Sequence, residues 1–219
     1  MKLKHFAIAT LAVFSVWSCK NGSKSEQNTE QAKDTVKMEK QLAFNPAELP
    51  EEPIFEVVTS EGTFKIKLYK ETKLHRDNFV KLASENFYDG ILFHRIIKGF
   101  MIQAGDPLSK DTTQMDSWGT GGPGYTIPAE ILPQFKHKKG ALAAARRGDA
   151  ANPQRESSGS QFYIVQDPAT CAQLDGDYTV FGETISGLDI IDKIASVPTG
   201  RRDVPVNPVV IISIKPVLK

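Results

Sequence analysis

Phe93-His94-Arg95-Ile96-Ile97-Lys98-Gly99-Phe100-Met101-Ile102-Gln103-Ala104-Gly105-Asp106 holds a permanent charge inside an apolar strand pattern. Arginine stays protonated at any relevant pH and its planar fork is all donors, so on an apolar surface it pairs with a carboxylate or waits for a ligand with acceptors. Strand alternation puts Phe93, Arg95 and Ile97 on one face, and a turn at Lys98-Gly99 brings Phe100, Met101 and Gln103 back beside the guanidinium. A charged fork over an apolar floor suits a small apolar group attached to a polar backbone. The same alternation turns His94 to the opposite face, where its expected role is structural.

Toward the N-terminus, 54–59 and 63–68 have strand composition with Glu61-Gly62 between them, which predicts a hairpin. Segment 74–87 carries Phe79, Leu82, Ala83 and Phe87 near helical spacing, and Asp89-Gly90 stops it. Toward the C-terminus, 107–124 is a polar loop ending Gly119-Thr120-Gly121-Gly122-Pro123-Gly124, without the Gly-Lys-Ser/Thr ending of a nucleotide cradle. The small-residue strand 140–145 admits another backbone at close range. In 159–165, alternation puts Phe162 and Ile164 on one face and Gln161 and Tyr163 on the other. A second helix is expected at 188–195, and the β-branched run 209–214 reads as a strand buried on both faces. Short strands with two helices suggest an antiparallel barrel.

Three segments in order carry a family resemblance. The opening stretch resembles the F-H-R-x-I-x-G-F-M-x-Q-x-G-D signature of the cyclophilin peptidyl-prolyl cis-trans isomerases. Gly159-Ser160-Gln161-Phe162-Tyr163-Ile164 resembles the family's G-S-Q-F-F-I, and 174–182 resembles its L-D-G-x-x-x-V-F-G. The resemblance implies a mainly β fold over 51–219, a closed eight-stranded antiparallel barrel capped by two α-helices. It implies Arg95 as the catalytic residue. Phe100, Met101, Tyr163, Leu174 and Tyr178 would form the proline pocket and its rim, while Gln103, Gln161 and the backbone of Ala145 and Arg146 bind the flanking main chain. Relatives commonly carry Asn at Arg146, Phe at Tyr163 and an aromatic at Gln173. Substrates would be proline-containing polypeptides, with no cofactor and no metal.

Composition bounds the rest. A formal net charge of +1 gives no reason to expect nucleic acid as a partner, and the chain is expected to be a monomer. Met1-Lys2-Leu3-Lys4-His5 followed by an apolar run to Trp17 has the layout of an export signal, too short to span a bilayer as an ordinary helix. Val16-Trp17-Ser18-Cys19 resembles a bacterial lipobox, so 1–18 reads as a lipoprotein signal peptide and Cys19 as the lipidation site. Residues 19–50, polar and without period, read as the lipidated Cys and a flexible tether. The lipobox resemblance implies a lipid-anchored envelope protein, and Lys20 after the Cys, by resemblance to lipoprotein sorting in double-membraned bacteria, favours the outer membrane, facing the periplasm. With Cys19 lipidated, Cys171 is expected as a small buried or half-buried side chain without a partner in the chain.

An X-Pro bond turns slowly because conjugation across the C–N bond must be lost. A donor aimed at the nitrogen of the twisted amide favours that midpoint over either planar state, and Arg95 is that donor in this reading. No proton moves, so the rate is expected to be flat between about pH 6 and 8. A proline-reading binding module or chaperone with little isomerase activity is the competing reading. A Ser160 hydrolase lacks both a G-x-S-x-G elbow and a placed histidine.

Overall fold

The computed structural model describes residues 41–218. The expected signal peptide, Cys19 and most of the expected tether lie outside the described residues. β1 (Ile54–Thr59) and β2 (Gly62–Leu68) form the expected hairpin, with Phe55 and Val57 of one strand and Phe64, Ile66 and Leu68 of the other buried. α1 (Lys73–Ser84) buries Phe79, Val80, Leu82 and Ala83. It stops short of Phe87 because Asn86 takes a left-handed φ of 54°, which a continuing helix cannot contain.

β3 (Arg95–Ile97) and β4 (Met101–Ala104) pair across the turn at Lys98-Gly99. β5 (Thr126–Ile127), β6 (Ala141–Ala144), β7 (Ser157–Ser158) and β8 (Phe162–Val165) follow. After the one-turn helix α2 (Pro168–Cys171) come β9 (Val180–Ser186), α3 (Leu188–Ala195) and β10 (Ile211–Pro216). β5 and β7 pair only with each other, and the other strands form one antiparallel sheet in the order β10-β1-β2-β9-β6-β8-β4-β3.

The main sheet has the expected eight strands, but the expected closed barrel is not formed. Among the described residues no ladder joins β10 to β3. The chain just ahead of β3 instead makes one bridge, Leu92 to Val210, with the Phe93 N–H donating to the Val209 carbonyl at 2.9 Å and the Ile211 N–H to that of Ile91 at 2.8 Å. The sheet is therefore curled and open, tacked at one point, because β3 runs for only three residues. Two expected helices are joined by the short α2. The final strand is not buried on both faces as expected: Ile211 and Ile214 are buried but Ile212 is 54% exposed, because the core cluster packs against one face of β10 and the other meets water.

α1 and α3 cover the same core. Phe79, Leu82, Ile191 and Ile194 pack with Phe55, Phe64, Ile102, Phe162, Ile164 and Phe181. The Phe79 ring meets Phe55 and Phe162 edge-on at 5.7 and 5.8 Å, and complete burial of such a ring stabilises by ~2–3 kcal/mol. A second apolar cluster lies on the other face of β8, where Tyr163 and Val165 join Met101, Ala143, Val180 and Cys171. Cys171 is fully buried with its thiol against the Phe100 carbonyl at 3.3 Å, and burial pushes that thiol up to about 11.

Candidate active site

Strand register assembles the site. Arg95 pairs with Gln103 across β3 and β4, Gln103 with Tyr163 across β4 and β8, and Tyr163 with Ala143 across β8 and β6. Directly opposed residues share a face, so guanidinium, carboxamide and phenol stand in one row. Met101 lies two residues from Gln103 on that face, and Phe100 ends the preceding turn. Together they line a cleft of about 510 Å³ with Leu174 and Tyr178 as further apolar wall.

The row is held from behind. The Tyr163 hydroxyl meets His137 Nε2 at 2.8 Å, and His137 Nδ1 meets Asp175 Oδ1 at 2.7 Å. A carboxylate only accepts, so Nδ1–H donates to Asp175 and Nε2 accepts the Tyr163 proton. Burial lowers the imidazole from its ordinary value against the opposing pull of Asp175, while His137 holds the Asp175 carboxyl below the usual range despite partial burial. Gln103 donates Nε2–H to Gln161 Oε1 at 3.1 Å, and Gln161 donates to the Gly121 carbonyl at 2.8 Å. That leaves the Gln103 carbonyl oxygen as a free acceptor toward the cleft.

The long loop is pinned by a buried carboxylate. Asp106 accepts from the N–H groups of Leu108, Gly119 and Gly121. Gly121 must be glycine here, because a Cβ would stand 2.1 Å from Asp106 Oδ1. Gly105, at φ 92°, likewise has the Ser160 carbonyl 2.2 Å from where a Cβ would be. The second contact explains the glycine ahead of Asp106.

Residues 54–216 match the family described as cyclophilin type peptidyl-prolyl cis-trans isomerase/CLD. The chain belongs to the cyclophilin family. It is 39% identical over 142 residues to a peptidyl-prolyl cis-trans isomerase of Helicobacter pylori, covering 63% of this chain and 77% of that one. It is 36% identical over 156 residues to peptidyl-prolyl cis-trans isomerase-like 2 of Rhizopus delemar, covering 68% of this chain but only 26% of that longer protein. A crystal structure of a Cryptosporidium parvum cyclophilin type peptidyl-prolyl cis-trans isomerase, obtained in the presence of the dipeptide Ala-Pro, superposes with a TM-score of 0.66 at 27% identity, covering 76% of this chain and 99% of that one. Peptidyl-prolyl cis-trans isomerisation is thus the activity of this cyclophilin.

Nine of the residues read from the sequence line the cyclophilin's cleft: Arg95, Phe100, Met101, Gln103, Ala145, Arg146, Tyr163, Leu174 and Tyr178. Gln161 does not. It lines the adjoining groove of about 770 Å³ and reaches the cleft only through Gln103. Both main-chain groups of Ala145 are already engaged, its N–H with the Gln161 carbonyl and its carbonyl with the Ser158 N–H, so of the expected pair only Arg146 has an unbonded backbone among the described residues. The Arg146 side chain is folded away from it, with its guanidinium 4.4 Å above the Tyr178 ring, donating to the Asp177 carbonyl and pairing with Asp149.

His94 corrects the alternation argument. It lines the cleft beside Arg95, since the strand begins only at Arg95 and the period does not extend back to it. Among the described residues neither ring nitrogen has a partner at hydrogen-bond geometry, and burial pushes the imidazole down to about 4. The sequence reading missed Trp118, which is buried and lines the cleft with its indole N–H donated to the Asp111 carbonyl. An isolated Trp in a polar loop was the available signal. It also missed Arg202 and Asp203, which arrive from a distant turn.

Proposed function

We propose that this cyclophilin turns X-Pro bonds with the proline ring against Phe100, Met101, Tyr163 and Leu174, and with Arg95 directed at the amide nitrogen. The single observation behind this is the register row of Arg95, Gln103 and Tyr163 along one cleft. At the twisted midpoint the nitrogen lone pair is localised and accepts a hydrogen bond that neither planar state offers, so an N–H donated there lowers the barrier. The Gln103 carbonyl oxygen and the unbonded main chain of Arg146 provide an acceptor and a donor for the peptide on either side of the ring. No group in this scheme changes its protonation.

The test is cis-to-trans exchange of a short X-Pro peptide by NMR, with wild type and Arg95→Ala. The variant should bind the peptide with less than about tenfold loss while exchange slows by about 10² or more, as loss of a transition-state donor predicts. Equal exchange rates in the two proteins would refute the role given to Arg95. A wild type that binds without accelerating exchange would leave the cleft as a recognition module.

The clients we propose are exported or envelope proteins, met by a domain tethered through lipid on Cys19 at the periplasmic side of an outer membrane. The support is the basic-then-apolar leader ending at Cys19 and the polar stretch behind it. Metabolic labelling with a fatty acid should mark the wild type and not Cys19→Ala; equal labelling would end this proposal.

A further inference from the structure

Arg95 does not stand alone at the cleft. Its Nε lies 3.4 Å from Asp203 Oδ2 in an ion pair whose two side chains are 42% and 44% exposed. The terminal nitrogens of Arg95 have no partner among the described residues. Asp203 belongs to the turn Arg201–Asp203, inside a segment closed on itself by bonds from the Gly200 N–H to the Val204 carbonyl at 2.8 Å and from the Val206 N–H to the Pro198 carbonyl at 2.9 Å.

The turn adopts a backbone that its residues disfavour. Arg202 and Asp203 have left-handed φ values of 63° and 60°, and two such non-glycine residues in succession persist only where their surroundings over-determine them. The surroundings here are the long loop. The Arg202 guanidinium donates to three carbonyls of that loop, Met115 at 3.3 Å, Asp116 at 2.8 Å and Trp118 at 2.8 Å. Arg201 adds an exposed pair with Asp116 at 3.0 Å. Loop 107–124 and turn 201–203 are thus clamped together, and the clamp delivers Asp203 to Arg95.

We infer that Asp203 is a positioning residue for the isomerisation: held at Nε, the Arg95 fork turns its terminal N–H groups into the cleft. This rests on the role proposed for Arg95. A carboxylate at this distance also offsets part of the arginine charge, which by itself would slow the reaction. Orientation outweighs that loss, because the target is the lone pair of a neutral nitrogen and the direction of the N–H decides the bond. An exposed ion pair contributes modestly, so its removal should lower kcat about two- to fivefold rather than abolish it.

Glycine takes left-handed backbone without steric cost, so Asp203→Gly removes both the acceptor and the charge without straining the turn. Peptide exchange is measured for wild type, Asp203→Gly, Arg95→Ala and the double variant of the full chain. Asp203→Gly should lower kcat about two- to fivefold with KM within about twofold, and should add nothing in the Arg95→Ala background. Arg202→Asn, which removes the clamp while accepting the same φ, should lower kcat alike and add nothing to Asp203→Gly. A rate at or above wild type for Asp203→Gly overturns the inference. So does an equal loss with Arg95 absent, which marks a merely structural role. An Arg95→Ala protein with wild-type kcat refutes the Arg95 reading itself, and this inference with it.

Discussion

Replacing Tyr163 by Phe deletes one atom, and its surroundings determine the result. Among the described residues the hydroxyl is the sole partner of His137 Nε2, at 2.8 Å, and the His137 side chain is fully buried. Without it a buried acceptor loses its donor, which costs ~1–3 kcal/mol; a central value of ~2 kcal/mol corresponds to a fall of about 4–8 °C in Tm for a domain of this size. The ring remains, so the wall of the proline pocket remains, and kcat/KM should stay within about twofold of wild type. The partner is the control. With His137→Leu the Tyr163 hydroxyl is itself orphaned, so in that background Tyr163→Phe should stabilise, and the sign of its effect should reverse. Thermal melts of the four proteins test the coupling and peptide exchange tests the pocket. An unchanged Tm for Tyr163→Phe, or the same loss in both backgrounds, would refute the relay through His137, and a collapse in kcat/KM would show that the hydroxyl takes part in the reaction.

The pH dependence of stability has a defined sign. His94 falls from about 6.5 to about 4 on folding, so between those values the unfolded chain binds the proton first and stability drops as pH drops, by about 3 kcal/mol across the window. Urea midpoints at pH 7 and pH 4.5 check this, and His94→Phe should flatten the difference; an unchanged slope would count against a neutral buried His94. Over about pH 6 to 8 the exchange rate per folded molecule should stay flat, and a bell-shaped profile would contradict a scheme without proton transfer. Gly121→Ala would put a Cβ 2.1 Å from Asp106 Oδ1 and 2.8 Å from Leu108 Cγ, and should destabilise by ~1–3 kcal/mol and reduce kcat/KM as loop 107–124 shifts. A melt and a rate matching wild type would show that the loop is not pinned by Asp106.

Period-two alternation made the row of Arg95, Gln103 and Tyr163 legible, since each residue sits in a short strand with apolar neighbours on the other face. It failed at His94, one residue outside its strand, and at Ile212, whose exposure depends on whether anything packs over that face of the sheet. His137 was readable only as a member of a basic loop, because its partners Tyr163 and Asp175 come from other segments. Asp203 was invisible for the same reason, and Trp118 showed only as an isolated Trp in a polar loop, without the cleft it lines. Local pattern carries which way a side chain points, and long-range register carries what it meets. The open edge between β10 and β3 belongs to that second kind of information.

The first strand of the domain needs the last. β1 pairs with β2 beside it in the chain and with β10 at the far end, Phe55 opposite Pro216 and Val57 opposite Ile214. During vectorial synthesis the opening hairpin therefore waits with one edge unpaired until nearly the whole polypeptide has emerged, and it is exposed to strand addition by other chains for that time. Folding of this chain is bound to be slow relative to its size, since its decisive pairing is also its least local one. A chain cut just before residue 211 would carry every residue of the cleft and still lack the strand that completes the sheet on which the cleft is built.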